Sequence, residues 1–190
     1  MAGPGAEQRL AAILAADVAG YSQLMEADAE ATVLALEACR AVFRDHVQNF
    51  GGRIVDTAGD SVLAVFPSTI GAVEASLAIQ EALGERNAAL AEDRRMRFRI
   101  GVNLGDVIEK PDGSIYGSGV NVAARLEGLA EPGGICLSGN VHEQVEGKLD
   151  AAFKDIGEHE VKNIAKPVRA YMRGSGTTAA PARQSHCPGV

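Results

Sequence analysis

Two short apolar runs constrain the fold of this chain most: AAILAAD, which ends in Asp17, and GDSVLAVF, which carries Asp60 at its start. Runs this short, rich in Val, Ile and Ala with a glycine-marked turn beside them, read as buried sheet strands rather than helix. Between them, Leu36, Cys39, Phe43, Val47 and Phe50 recur at spacings of three and four, one face of a helix over residues 28 to 50, which Gly51 and Gly52 stop. Residues 53–57 and 61–66 then form two strands around Ala58-Gly59-Asp60, a hairpin with Asp60 at its tip.

The alternation continues downstream. Ser68 is placed to cap a helix running to about Leu90, with Ile70, Val73, Leu77 and Leu83 inside. Residues 97–104 alternate cleanly, Phe98, Ile100, Val102 and Leu104 on one side and Arg97, Arg99 and Asn103 on the other, so they predict a strand. Gly105-Asp106 reads as a turn or bulge, and PDGS at 111–114 as a turn. A helix is expected from about Gly119, a strand over 134–138, a short helix over 140–147, and strands near Phe153, near Val161 and over 168–172. The order is β-α-β-β-α-β with additions, an α+β ferredoxin-like sheet with helices expected on one face. Residues 1–7 form an N-terminal extension, 8–173 the domain, and 174–190 an aperiodic linker or tail after which further domains of a longer protein would follow.

Composition narrows the chemistry. A chain of 190 residues, 46% hydrophobic, buries a core without staples. Its net charge of -7 argues against nonspecific nucleic-acid binding, which draws its affinity from basic surface. Cys39, Cys136 and Cys187 are odd in number and scattered, so neither a disulfide framework nor a CxxC metal site is indicated, and a reducing, cytoplasmic setting is expected. No 18-residue apolar run offers a membrane segment.

Asp17 and Asp60 become neighbours if the hairpin pairs with the first strand, and two carboxylates on stiff backbone suit a divalent cation. A helix cap and a turn residue account for the same pair equally well. After Asp17, Val18-Ala19-Gly20-Tyr21-Ser22 turns the chain toward the next helix and offers backbone N–H groups for a phosphate. In YGSGVNVAARLEGLA, Asn121 and Arg125 stand four residues apart on one helical face, projecting from a run of small and apolar residues.

Taken together, AADVAGYS, DTAGDSVLAVF, RIGVNLGDVI and IYGSGVNVAARLEGLAEPGGICLS resemble the catalytic domain of class III adenylate and guanylate cyclases over residues 8–173. The resemblance implies a ferredoxin-like core related to polymerase palms, active as a head-to-tail homodimer that converts ATP or GTP into a 3′,5′-cyclic nucleotide and pyrophosphate. It implies two Mg²⁺ or Mn²⁺ per site on Asp17 and Asp60, with the Val18 carbonyl a further ligand. From the partner it implies Asn121 orienting the ribose, Arg125 stabilising the transition state and Lys162 holding the triphosphate.

At two positions the chain departs from the adenylate-making pattern. That pattern has a Lys four residues before the second metal aspartate and an Asp three before the Gly of the YG element; here stand Asp56 and Ser114. An ionised Asp56 only accepts, so it suits the N1–H and N2–H₂ donors of guanine, while the Ser114 hydroxyl donates to O6. A base-tolerant pocket, an Asp56 that turns to the N6 amino group of ATP, and a nucleotide-sensing domain without turnover remain open.

Overall fold

The computed structural model describes residues 5–175. Most of the expected N-terminal extension and tail therefore lies outside the described residues. The elements are β1 (Glu7–Val18), α1 (Tyr21–Ala27), α2 (Ala29–Asn49), β2 (Arg53–Asp56), β3 (Val62–Phe66), α3 (Thr69–Ala88), β4 (Phe98–Glu109), β5 (Ile115–Tyr116), α4 (Ser118–Leu129), β6 (Ile135–Ser138), α5 (Gly139–Val145), β7 (Lys154–His159) and β8 (Val168–Arg173). One sheet orders them β2-β3-β1-β4-β6-β8-β7, with β5 beside β4. The first four strands of that path reproduce the ferredoxin-like arrangement expected from the sequence. β1 lies antiparallel to both β3 and β4.

Period-2 alternation along β1 decides what faces what. Ala12, Leu14, Ala16 and Val18 join the main core with Phe43 and Val47 of α2 and Val73 and Ile79 of α3, whereas Ala11, Ile13 and Ala15 join a second cluster with Ala123 of α4. Helices thus cover both faces, not the one face expected. The reason is Gly101 on β4: a Cβ there would lie 2.3 Å from the Glu127 nitrogen and 2.5 Å from the Ala123 carbonyl oxygen, so only glycine lets the α4 backbone lie directly on the strand.

Two further local readings are corrected, and one helix is added. Gly105 is no turn, because β4 runs unbroken to Glu109; an added Cβ would come within 3.0 Å of Gly119 Cα, so this glycine also serves the close approach of α4. The helix expected over residues 28 to 50 stands as α2, but a short α1 that the pattern did not foresee precedes it: Asp28 is extended, ends α1, and caps α2 by accepting from the Ala31 N–H at 3.0 Å. Val161 belongs to no strand: it is a buried anchor of the turn between β7 and β8, packed with Val122 and Leu126 of α4.

Candidate active site

Asp17, second from the end of β1, points to the α4 face by the same alternation. Its direct β4 partner is Arg99, which donates from Nε to Asp17 Oδ1 at 2.8 Å and pairs the second oxygen through Nη2. Asp60, at the tip of the β2–β3 hairpin, is brought to the same place because β3 pairs with β1; its Oδ2 accepts from the Val18 N–H at 3.1 Å. The two aspartates foreseen from the sequence therefore converge. A third carboxyl joins them: Glu127, held on the α4 backbone over Gly101, has its acid pushed up to about 8, first by burial and then by the charge and hydrogen bonding of Asp17. At neutral pH Glu127 therefore keeps its proton beside the Asp17–Arg99 pair.

The turn after β1 takes the course expected. Gly20 adopts φ 68°, a left-handed conformation that glycine reaches without strain, and α1 starts at Tyr21. Tyr21 packs against the main core and Ser22 is exposed.

Asn121 and Arg125 are not brought to the aspartates. Both are exposed on α4, and Glu127 lies two residues beyond Arg125, roughly 200° around the helix, so the two sets occupy opposite sides of α4. Arg125 instead donates from Nε to the Glu160 carbonyl at 3.3 Å, which draws it to the turn that carries Lys162. That turn closes through the Ile164 N–H to the Val161 carbonyl, with Asn163 left-handed at φ 65°, and exposes Lys162 next to the Asn121–Arg125 face. One chain thus places carboxylates on one side of α4 and an amide and two cations on the other.

Asp56 ends β2 and is exposed. Ser114 lies in the β4–β5 turn. Arg53 of β2 ties the two regions, donating from Nη1 to the Gly113 carbonyl at 3.2 Å and pairing with Glu109 at 2.7 Å. The Ser114 hydroxyl donates to Asp112 Oδ1 at 2.5 Å, so it must turn away from that carboxylate before it can serve another acceptor.

Compared with known proteins, the chain matches the adenylate and guanylate cyclase catalytic domain over residues 6–174. It belongs to that family. A protein of Rhizobium meliloti (strain 1021) that carries the name "Putative adenylate cyclase 3" is 46% identical over 172 residues, covering 90% of this chain but only 29% of that protein. The cyclase domain thus spans under a third of that relative's length. A crystal structure of an adenylate/guanylate cyclase/hydrolase from Silicibacter pomeroyi is 42% identical, with a TM-score of 0.83 and coverage of 90% of this chain and 99% of that one. The adenylyl cyclase CyaB from P. aeruginosa, at 23% identity, shares the fold, with a TM-score of 0.77 over 92% of this chain and 98% of its own.

In the cyclase domain, sequence reasoning missed Arg99 and Glu127. The alternation of β4 had put Arg99 opposite the core face, and only the β1–β4 register aligns it with Asp17. Glu127 gave no signal beyond its place six residues after Asn121, which a helical wheel puts on the far side. The oxygen donors of Asp17 and Asp60 fit a hard divalent cation, which binds through one or two carboxylates and completes its shell with water and substrate phosphates. Two hollows of about 860 and 500 Å³ lie elsewhere, one under α3 and one beside the start of α4, and neither is lined by Asp17 or Asp60. Among the described residues, no helix is long and apolar enough to cross a membrane.

Proposed function

We propose that this domain is a nucleotide cyclase that converts ATP or GTP into the 3′,5′-cyclic nucleotide and pyrophosphate at two sites in a head-to-tail homodimer, in a cytoplasmic signalling role. The observation that supports it most is the division of the chain by α4: Asp17 and Asp60 on one side, Asn121, Arg125 and Lys162 on the other, two complementary halves that a single chain holds apart. A two-fold dimer in which each half meets its counterpart has two complete sites.

Asp17, Asp60 and the Val18 carbonyl would hold two Mg²⁺ or Mn²⁺, whose chemistry is to acidify the ribose 3′-hydroxyl and to neutralise the triphosphate. The turn at Gly20, Tyr21 and Ser22 lends N–H groups to the phosphates. Arg99, which pairs with Asp17, would have to yield part of that carboxylate to a bound cation. From the partner, Asn121 orients the ribose and Lys162 binds the triphosphate. Arg125 exchanges its bond to the Glu160 carbonyl for the α-phosphoryl oxygens, where fixed donors contribute about 3 kcal/mol, roughly a hundredfold in rate. Asp56 and Ser114 read the base; their acceptor and donor character admits guanine, and against ATP an unmet Asp56 costs about 1–3 kcal/mol.

The test is incubation with Mn²⁺ and either triphosphate, scoring cyclic nucleotide and pyrophosphate. Formation of both from ATP or GTP is expected. Tight binding of both triphosphates with no product would overturn turnover in favour of a nucleotide-sensing domain, a reading that the altered Asp56 and Ser114 pair leaves open. Asp56→Lys with Ser114→Asp should raise the ATP-to-GTP ratio of kcat/KM by roughly five- to a hundredfold.

A further inference from the structure

Arg40, in the middle of α2, reaches across to the hairpin that carries Asp60. Its Nη2 donates to the Thr57 carbonyl at 2.8 Å and also to the Gly59 carbonyl, and its Nη1 pairs with Glu37 at 2.6 Å. The loop between β2 and β3 thereby has its inward carbonyls fully allotted. Those of Thr57 and Gly59 go to Arg40, and that of Ala58 accepts from the Ser61 N–H at 3.0 Å and the Ser61 hydroxyl at 2.6 Å. Gly59 takes φ +59°, with nothing near the place of an added Cβ, so the loop has no side-chain packing of its own at its sharpest bend. What fixes it is one guanidinium, only 16% exposed and rooted in a 21-residue helix.

The same guanidinium has the one buried side-chain nitrogen or oxygen without a hydrogen-bond partner among the described residues, Arg40 Nε. A lysine or glutamine would leave no such orphan. Nη2 serves both carbonyls while Nη1 pairs with Glu37, a division between two nitrogens at this reach that a single, shorter-reaching lysine ammonium cannot reproduce.

We propose that Arg40 is a positioning residue for the metal site: by clamping the Thr57 and Gly59 carbonyls it fixes the loop that presents the Asp60 carboxylate beside Asp17. The proposal rests on the metal-binding role given to Asp60 above. Arg40 touches neither cation nor substrate; it acts through the backbone one residue before Asp60, while Val18 N–H holds the carboxylate from the other side.

The test measures Mn²⁺ binding by electron paramagnetic resonance on the whole chain with a non-hydrolysable nucleoside triphosphate, together with the Mn²⁺ activation constant, kcat and the thermal midpoint. Asp60→Asn, which removes the ligand, is the reference. Arg40→Ala should weaken Mn²⁺ binding and raise the activation constant by at least about fivefold, and Arg40→Lys should recover less than half of that loss, because one shorter-reaching ammonium must replace two nitrogens that divide the carbonyls and Glu37 between them. Measured well below the midpoint of each variant, a merely structural stitch would leave Mn²⁺ affinity untouched. Affinity within twofold of wild type in Arg40→Ala, or full recovery in Arg40→Lys, overturns the proposal. If Arg40→Ala does not fold, the Arg40→Lys affinity decides alone. Wild-type protein that binds Mn²⁺ through Asp60 yet makes no cyclic nucleotide refutes the cyclase reading and leaves the Arg40 effect standing. Turnover with an unmoved Mn²⁺ affinity in the variants does the reverse.

Discussion

Gly101→Ala tests whether direct backbone contact between β4 and α4 builds the site. The added methyl would lie 2.3 Å from the Glu127 nitrogen, 2.5 Å from the Ala123 carbonyl oxygen and 2.9 Å from the Leu126 carbonyl carbon, all backbone atoms that no side-chain rotation can move away. Ordinary contact begins near 3.5 Å, so helix and strand must part by roughly 1 Å. Overpacking of this kind costs about 1–3 kcal/mol, which in a domain of this length lowers the thermal midpoint by about 2–12 °C. The control is on the same helix: Gly128 has nothing within 4 Å of its missing Cβ and is exposed, so Gly128→Ala should stabilise by about 0.4–1 kcal/mol through the unfolded chain alone. Because α4 carries Asn121, Arg125 and Glu127, the same displacement should lower kcat by up to roughly a hundredfold, whereas Gly128→Ala leaves it alone. Scanning calorimetry and single-temperature kinetics read both. A Gly101→Ala protein that melts at or above the wild-type midpoint with unchanged kcat would refute the argument that the glycine exists to seat the helix.

Two other outcomes follow from the same geometry. Asp60→Ala and Arg125→Ala chains, each inactive alone, should on mixing recover about a quarter of wild-type activity, since half the dimers are mixed and each of those has one intact site; no recovery would refute a shared site. Glu127→Gln should alter the pH dependence of stability in EDTA. The unfolded glutamate ionises near 4.5 while the folded one keeps its proton to about 8, so in wild type this group lowers stability as pH rises through that window. The variant should gain in midpoint over wild type from pH 5 to 8 and show no gain at pH 4, and a difference flat with pH would count against the buried, proton-holding Glu127.

How much of this was legible in the sequence depended on range. Periodicity identified β1, the hairpin, α3 and β4, because each is set by residues two to four apart; Ser68 does cap α3, its hydroxyl accepting from the Gly71 N–H at 3.2 Å. The convergence of Asp17 and Asp60 needed only the guess that hairpin and first strand pair. What escaped were relations that local pattern does not encode. The placement of α4 on the opposite face depends on glycines at 101, 105 and 119 meeting backbone from elsewhere, and in sequence the glycine at 105 looked like a turn. Arg99 meets Asp17 across 82 residues and Arg40 meets Gly59 from mid-helix, where an arginine otherwise reads as solvated surface. What was passed over is α1: seven residues long with none fully buried, it shows no apolar face to a periodicity reading, although Asp28, which ends it and caps α2 at Ala31, marks the boundary locally.

The charges on the two sides of α4 are handled differently, and under the proposed function the difference bears on assembly. On the carboxylate side the chain answers its own charge: Arg99 pairs Asp17, and Glu127 avoids adding to it by staying protonated. On the other side it does not. Among the described residues, Arg125 has only a carbonyl for company and neither it nor Lys162 forms an ion pair, although the chain carries seven more acidic than basic residues. Other exposed cations, Arg44, Lys148, Lys154 and Lys166, also form no ion pair among the described residues, so what sets Arg125 and Lys162 apart is their meeting at one turn beside α4, where under the proposed function they would serve an anion that arrives from outside. A triphosphate carried by the aspartates of a second copy is such an anion. It would let Arg125 and Lys162 add their charge only once both halves and the substrate are in place.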